Sequence, residues 1–195
     1  MLSSSEVDLL EEFLSQNKDL VDIEFNNTEN DNGILKYINN SVLMKEYEDF
    51  QIYKSAKVSD SMYDTFIIIV GVAYSITRGK YPAKYSETQI IGIKKLNRNY
   101  GHIFIKPETF EDKISELFVK SEIDFADYPK FSFRYFCVTD NEVKAKLFAT
   151  PERLKRIENQ NEIIIEVNED VLISKFSRII TYVDCNSMIE FIKNI

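Results

Sequence analysis

The sequence predicts an α+β fold, in which an antiparallel β-sheet with a long central hairpin is backed by helices. Segments rich in β-branched and aromatic residues follow one another from residue 50 to residue 106. In the second half of the chain, segments with helical spacing alternate with strand-like ones. The most apolar run, residues 65–76, is far shorter than the roughly 20 residues that a membrane-spanning helix needs. This order of elements is typical of a sheet covered by helices.

Length and composition fit one folded domain. The chain has 195 residues, of which 44% are hydrophobic and 29% are charged, so a sizeable core can be buried. Its net charge is −8, which argues against general nucleic-acid binding, because Lys and Arg supply most of that affinity. Two cysteines and one histidine are too few for a structural zinc site without carboxylates. We therefore expect no metal and no cofactor.

The first 33 residues are predicted to be separate from the domain. Ser3 and Glu6 form a capping box before apolar residues at helical spacing, which predicts an N-terminal amphipathic helix. Residues 25–33 are rich in Asn and acids, favour turns, and are interpreted as a linker or long loop. Residues 34–195 are assigned to a single α+β domain. Because acids interrupt the apolar N-terminus, we expect no secretion signal and a cytoplasmic protein.

Four strands are predicted in the first half of the domain. They are FQIYKSAKV (50–58), TFIIIVGVAYSI (65–76), YSETQIIGIKKL (85–96) and HIFIK (102–106). The second has apolar residues on both alternating faces, such as Ile68 and Ile69, so we expect a central strand covered on both sides. Gly79 and Pro82 predict a hairpin turn between the second and third strands.

The two glycines inside these strands suggest a register for the hairpin. A turn centred near Tyr81 would bring Gly71 and Gly92 opposite each other within about one position. Glycines inside strands often mark a bulge or a close approach by another element. We therefore expect paired glycines in the hairpin.

The second half of the chain alternates helices and strands. The first predicted helix has Phe110, Ile114, Leu117 and Phe118 on one face, and a strand KFSFRYFCV (130–138) follows it. Two further helices are predicted, one capped by Thr139 with Glu142 and one started by Thr150 and Pro151. A strand pair, EIIIEV and VLISKF, comes next, and a last helix is capped by Asn186 or Ser187. These elements supply the helices that cover the sheet.

One segment resembles a known family. Residues 124–158 contain the frame DF-x3-P-x-FS-x2-Y followed by LF-x-TP, which resembles a family of uncharacterised bacterial proteins with a domain of unknown function. The upstream pieces TRGKYPAKYSETQIIGI and GHIFIKPE are similar to that family's strand hairpin, so the resemblance covers about residues 64–192. It implies one compact domain, and it assigns no catalytic role to any residue.

No catalytic motif is visible in the sequence. His102 has no acid or nucleophile at a recognisable spacing, so we interpret it as a structural or surface residue. Cys137 lies among apolar and aromatic neighbours and is interpreted as a small buried hydrophobe. Neighbouring carboxylates in the sequence point to different faces of an element, and no Gly-rich phosphate loop occurs. The site prediction therefore contains no catalytic, metal-binding or cofactor-binding residue.

A basic segment in an acidic chain is the feature that points to a surface site. Residues 51–107 contain three acids against nine bases, whereas residues 1–50 contain twelve acids against three bases. The candidate partner-binding residues lie at the predicted hairpin tip and are Arg78, Lys80, Tyr81, Lys84 and Tyr85. Such a tip suits an acidic partner, a phosphate-rich ligand or an anionic membrane surface. The alternative is that these lysines keep a strand end soluble and prevent edge pairing.

Two functions follow as hypotheses. The first is a non-catalytic domain that binds another protein through the basic tip and the exposed face of the N-terminal helix. The second is a hydrolase or transferase whose carboxylates are scattered in sequence but gathered in space. A deep pocket with converging polar groups would favour the enzyme, and a pocket-poor surface would favour the binding domain.

Overall fold

A computed structural model describes residues 21–22, 28–58, 62–78, 81–108, 121–123, 125–160, 162–177 and 182–195. Its strands are β1 (Val21–Asp22), β2 (Asp49–Val58), β3 (Thr65–Arg78), β4 (Tyr81–Lys95), β5 (His102–Pro107), β6 (Ser121–Glu122), β7 (Tyr135–Thr139), β8 (Ile163–Asn168) and β9 (Val171–Phe176). Its helices are α1 (Thr28–Asn39), α2 (Pro129–Arg134), α3 (Glu142–Phe148), α4 (Pro151–Glu158) and α5 (Tyr182–Asn194). The predicted N-terminal helix and the helix at residues 110–118 lie outside the described residues.

The described strands form one sheet in the order β1-β2-β3-β4-β9-β8-β5-β7-β6. All strand pairs are antiparallel. Helices pack on the sheet, so the α+β prediction is confirmed, including its long central hairpin. Among the described residues, no helix combines the length and the apolar character that a membrane crossing requires.

The β3–β4 hairpin is longer and tighter than the sequence suggested. Its ladder runs from Thr65 opposite Lys94 to Arg78 opposite Tyr81, so only two residues connect the strands. Two-residue connections match the twist of antiparallel strands, and they favour glycine because they require positive φ angles. Pro82 therefore lies inside the ladder, opposite Thr77, rather than in the turn.

The predicted pairing of the two glycines is wrong. Gly71 lies opposite Thr88, and Gly92 lies opposite Ile67, because the hairpin turns closer to the N-terminus than the sequence pattern suggested. Each glycine nevertheless marks a close approach. A Cβ atom on Gly71 would lie 2.2 Å from the hydroxyl of Tyr53, and one on Gly92 would lie within 3.2 Å of side chains from β9 and α5.

The core has two parts, one on each face of the sheet. Helix α1 and the turn after it cover one face, called the α1 face, where the buried residues are Ile34, Ile38, Leu43, Met44, Phe66, Ile68, Val70, Val72, Ile91, Ile93, Phe104, Ile164 and Ile173. Helices α2 to α5 cover the other face, called the α2–α5 face. Its buried strand residues include Ile67, Ile69, Ile90, Ile103, Ile105, Ile165 and Leu172.

Strand β3 is covered on both sides, as predicted. Its residues 65–70 are all buried, and they alternate between the two core clusters. From Ala73 to Ile76 the side chains are only half-buried, and Thr77 is exposed. Beyond Ala73, β3 pairs only with β4 among the described strands, and β4 pairs with β9 only over residues 91–95. Among the described elements, the distal end of the hairpin therefore projects past both helical layers as a two-stranded ribbon.

Local patterns were misleading where burial decided the structure. Residues 28–33, which were predicted as linker or loop, form the beginning of α1, because Ile34 and Ile38 bury the same side of one helix against the sheet. Residues 130–134, which were predicted as strand, form α2. Pro129 occupies the first turn of α2, Phe131 is buried, and Phe133 points to solvent.

Two predicted helix starts also differ. Helix α3 is capped by Asn141, whose side chain accepts a hydrogen bond from the Lys144 amide, and not by Thr139. Helix α5 begins at Tyr182, four residues before Asn186 and five before Ser187, the two predicted caps. The prediction for α4 is confirmed, since Thr150 caps it and Pro151 occupies its first turn. The pair β8–β9 forms the predicted hairpin around a tight turn in which Glu169 has a φ of 57°.

Candidate functional site

The predicted partner-binding residues lie at and near the end of the projecting ribbon. Arg78 and Tyr81 form the last pair of the β3–β4 ladder, although their side chains, like the whole of Lys80, lie outside the described residues. Lys84 lies opposite Ser75, and its side chain is 85% exposed. Tyr85 lies opposite Tyr74 and is 40% exposed.

Lys84 and Tyr85 belong to different faces of the ribbon. Successive side chains of a strand point in opposite directions, so the lysine and the tyrosine cannot contact the same small group. Lys84 Nζ lies 4.0 Å from the Glu48 carboxylate, just before β2 begins. Acidic residues 46, 48 and 49 thus lie beside the basic ribbon, and they offset part of the positive charge that the sequence assigned to it.

Three tyrosines lie next to one another on the α1 face of the ribbon. The rings of Tyr85 and Tyr74 stack with centroids 5.8 Å apart and planes inclined by 20°. Tyr47, in the turn before β2, lies against Tyr74 with centroids 6.3 Å apart. Offset stacking of this kind stabilises aromatic pairs beyond the area that they bury. The three rings form a continuous aromatic surface that reaches solvent at Tyr85.

Two carboxylates and an amide accompany the rings. The Tyr74 hydroxyl donates to Glu87 Oε2 at 3.2 Å, and Gln89 Nε2 donates to Glu87 Oε1 at 2.7 Å. Gln89 is only 2% exposed, and its Oε1 has no hydrogen-bond partner among the described residues. The name tyrosine–carboxylate cluster is used below for Tyr47, Tyr74, Tyr85, Glu46, Glu87, Gln89 and Lys175, the last of which is described next.

Lys175 is the internal cation of this cluster. From β9, its buried Nζ donates to Glu46 Oε1 and, at 2.5 Å, to the Tyr47 hydroxyl. The same Nζ lies 4.6 Å from the centroid of the Tyr47 ring, a cation–π contact. Two carboxylates against one ammonium leave the cluster with a formal charge of −1.

The hydroxyls of Tyr47 and Tyr74 remain protonated at neutral pH. Burial raises the pKa of Tyr47, and the nearby carboxylates of Glu46 and Glu87 raise it further. Burial together with Glu87 also raises the pKa of Tyr74. A negative neighbour disfavours a phenolate, so both rings stay neutral and keep their electron-rich faces available.

Glu166 of β8 forms a second polar group, which is buried beneath the turn after α1. Its carboxylate accepts hydrogen bonds from the Ser41 hydroxyl at 2.6 Å and from the Val42 and Leu43 amides at 3.0 Å each. His102 Nε2 lies 3.0 Å from Glu166 Oε1. Burial alone would raise the pKa of Glu166, but these hydrogen bonds outweigh it and hold the pKa below its usual value.

This arrangement differs from a nucleophilic triad, although it contains Ser, His and Glu. In a triad the hydroxyl donates to the histidine, which the acid then orients. Here both Ser41 and His102 contact Glu166 directly, and Ser41 is 1% exposed. The geometry positions the chain at residues 41–43 on the sheet, in agreement with the structural interpretation of His102.

Neither cysteine has the setting of a reactive thiol. Cys137 is buried in the core on the α2–α5 face, as predicted. Burial, together with the nearby Asp184 carboxylate, raises the pKa of the Cys185 thiol to about 12. A thiol with so high a pKa is a poor nucleophile at neutral pH.

Two open depressions lie at opposite ends of the β3–β4 hairpin. A trough of about 240 Å³ lies around Gly71, where the absent side chain leaves room for Tyr53, and its lining includes Ser86 and Thr88. A second depression lies beside the C-terminal end of α5, where Lys94 Nζ donates to the carbonyls of Ile192 and Lys193. Within the described ranges, no three His, Cys, Asp or Glu side chains converge as metal ligands would.

Sequence reasoning found one edge of this site and missed most of it. Tyr85 was predicted, whereas Glu46, Tyr47, Tyr74, Glu87, Gln89 and Lys175 were not. The alternation Tyr85-x-Glu87-x-Gln89 within a strand places three polar or aromatic groups on one face, and it is the only local signal of the cluster.

Comparison with protein-family models gives no match, and comparisons with curated proteins and with solved structures give none either.

Proposed function

We propose that this chain is a protein-binding domain that contacts its partner through the distal half of the β3–β4 hairpin. The observation that carries the proposal is the stacked pair Tyr74–Tyr85 on a ribbon that extends beyond both helical layers. Tyrosine supplies large contact area with few rotatable bonds, and it is enriched in protein interfaces. Pairing of the two strands fixes the direction of these rings in the folded state, which lowers the conformational entropy that binding must remove.

Exposure and charge at the ribbon support the same proposal. Lys84 and Tyr85 are exposed on opposite faces, so a partner that grips the ribbon contacts a cation on one side and an aromatic ring on the other. Mixed aromatic and charged surfaces favour a protein as partner over nucleic acid, whose phosphates require a broad basic surface. We keep the sequence-based expectations of a bacterial, cytoplasmic protein as part of this proposal.

The alternative of a carboxylate-based hydrolase or transferase has weaker support. Glu166 is the most deeply buried carboxylate among the described residues, and four hydrogen-bond partners already surround it. Its lowered pKa opposes the role of general acid, for which a raised pKa is needed. The trough near the ribbon, with a volume of about 240 Å³, is smaller than the sites that enclose most small ligands.

Site-specific photo-crosslinking in cells of the source organism tests the proposal. A benzophenone amino acid would replace Tyr85 in one variant and Tyr63 in another, since both tyrosines are partly exposed but Tyr63 lies outside the ribbon. We expect one discrete crosslinked partner band from position 85 and none of the same mass from position 63. The partner band should weaken when Lys84→Glu is introduced into the variant that carries the benzophenone amino acid at position 85. Equal labelling from both positions, or none from either, would contradict the proposal.

A further inference from the structure

We infer that the tyrosine–carboxylate cluster receives an arginine side chain of the partner protein, which stacks on Tyr85 and pairs with Glu87. This inference rests on the proposed function, because it names the chemistry of the partner at the same ribbon. The sequence pointed to the basic tip and hence to an acidic partner, a phosphate-rich ligand or an anionic membrane surface. The structure adds, on the α1 face of that ribbon, a surface of opposite character.

Positive charge lies at only one end of the cluster. Lys175 lies at the Glu46 end, where it contacts both that carboxylate and the Tyr47 ring. Glu87, at the ribbon end, has no lysine or arginine as an ion-pair partner among the described residues. Its contacts are with neutral donors, Tyr74 and Gln89. The cluster therefore has one unneutralised carboxylate on the side that faces solvent.

Around Glu87 and Gln89, hydrogen-bond acceptors outnumber the donors that the described residues supply. Gln89 Nε2 donates a hydrogen bond to Glu87. The opposite orientation of the amide would place its oxygen, an acceptor, against the carboxylate, which is also an acceptor. Glu87 therefore fixes the orientation of the Gln89 amide. The remaining atom, Gln89 Oε1, is buried without a donor. Buried polar atoms are nearly always paired, and an unpaired one in a native structure calls for an explanation. An unpaired acceptor therefore belongs to the amide that is hydrogen-bonded to Glu87, and the described residues leave this part of the cluster short of donors.

The stacked rings of Tyr74 and Tyr85 offer an aromatic surface to a cation. Cations bind over tyrosine faces, and the Lys175–Tyr47 contact shows the same chemistry within this cluster. Tyr85 is the exposed member of the stack, so one of its faces is open to an incoming group. The guanidinium of arginine is planar, stacks on aromatic rings and donates to carboxylates in a fixed fork, whereas the lysine ammonium is a compact, strongly hydrated charge. Stacking on Tyr85 with donation to Glu87 therefore favours arginine.

The test uses N-acetyl-arginine-N-methylamide as the probe and the isosteric N-acetyl-citrulline-N-methylamide as the uncharged control. Titration of the full chain is followed by NMR on the tyrosine ring and glutamine side-chain resonances. We expect saturable shifts confined to Tyr74, Tyr85 and Gln89, with a millimolar dissociation constant, for the arginine probe only. Saturation by citrulline to the same extent, or no saturable shift up to the solubility limit, would overturn the inference.

Two variants make the test specific to the cluster. Glu87→Gln keeps the shape and removes the charge, and Tyr85→Leu keeps an apolar exposed side chain and removes the ring face. Each should weaken probe binding by about fivefold or more, whereas the matched carboxylate change Glu142→Gln on α3 should leave it unchanged. If Glu87→Gln does not fold, Tyr85→Leu still decides the outcome, and unchanged affinity in that variant would refute the inference.

The same variants separate the inference from the proposed function. If crosslinking at position 85 captures a partner while the arginine probe fails, the hairpin binds protein by other contacts and only the inference is rejected. If the probe binds but crosslinking yields no partner, the cluster is a cation site and the proposed function is rejected.

Discussion

Among single residues, Glu166 shows most clearly how a charge is stabilised inside this sheet. It is fully buried, yet its carboxylate contacts a hydroxyl, two amides and an imidazole. A buried carboxylate is costly unless such donors surround it. All four donors come from sequence positions that lie at least 64 residues away. No local pattern around residue 166 could therefore have predicted this role.

The substitution Glu166→Gln should destabilise the protein by about 2–4 kcal/mol, because an amide NH₂ would face donors that now bind a carboxylate oxygen. Urea denaturation followed by circular dichroism measures the free energy of unfolding. Glu142→Gln is the matched control, since this exposed residue pairs only with Lys146 on the helix surface, and it should change stability by less than about 0.5 kcal/mol. Similar losses in both variants would show that Glu166 has no special role.

Acid should remove the contribution of Glu166. Because the folded-state pKa of this carboxyl lies below its unfolded value, its stabilisation is present above the ordinary glutamate pKa of about 4.3 and is lost as pH falls through the lower folded value. The difference in unfolding free energy between wild type and Glu166→Gln should therefore be constant just above that pH and shrink below it. Denaturation of both proteins in a pH series checks this. A difference that grows on acidification would contradict the direction of the shift.

At the scale of secondary-structure elements, the contact of α5 with β4 depends on a glycine. A Cβ atom on Gly92 would lie 2.9 Å from Ser174 Oγ, 3.0 Å from Met188 Sδ and 3.2 Å from Ile192 Cγ1. These distances are shorter than ordinary contacts, so the absence of a side chain lets the helix lie close to the sheet. The sequence suggested a close approach at this glycine but assigned it to the wrong strand register.

The substitution Gly92→Val should destabilise the protein by about 2–3 kcal/mol, because the added methyl groups would overlap Met188 and Ile192 in a packed core. Ser86→Val is the matched control, since Ser86 is exposed on the same strand and the same face but beyond the helices. Thermal or urea unfolding would compare the two. If Gly92→Val were as stable as the control, α5 would not be packed against β4 in the way described.

Secondary structure itself was predictable only where local and tertiary preferences agreed. Strands β2 to β5, β8 and β9, and helix α4, follow their alternation or their capping residues. Helix α2 does not follow its local pattern. The alternating apolar residues around Phe131 predict a strand, but Pro129 and the burial of Phe131 alone favour a helical turn. Helix α1 likewise overrides a run of asparagines and acids, since it covers the outer face of β3.

At the scale of the whole molecule, the sheet is a core with one projecting hairpin. Residues 66–73 of β3 lie between two neighbouring strands, and residues 66–70 are also buried between the two core clusters, whereas residues 74–78 pair only with β4 among the described strands. Local stability should follow this division, because segments with few buried contacts open at lower free energy. The part of the hairpin that we propose for binding should therefore be less protected than residues 66–70 of β3.

Hydrogen exchange should divide the hairpin into two segments. Amides of residues 66–70 in β3 should exchange with the global unfolding free energy, while those of residues 74–78 should exchange at least about 100-fold faster. Exchange followed by NMR or by mass spectrometry of peptides measures both segments in one experiment, and the β8–β9 hairpin serves as an internal reference for a fully flanked pair. Uniform protection along the hairpin would indicate that another element covers the ribbon.

The sequence by itself determined the class of fold, the central position of β3 and the presence of a hairpin with aromatic and basic residues near its tip. Those features depend on alternation, composition and turn residues, which act between neighbours in the chain. Only the tertiary structure decided the hairpin register, the acidic residues beside the basic tip and the cluster that joins Glu46 and Lys175 to Tyr74 and Glu87. These depend on which distant segments share one sheet face, and the free energy of such packing is not recorded in any local stretch of sequence.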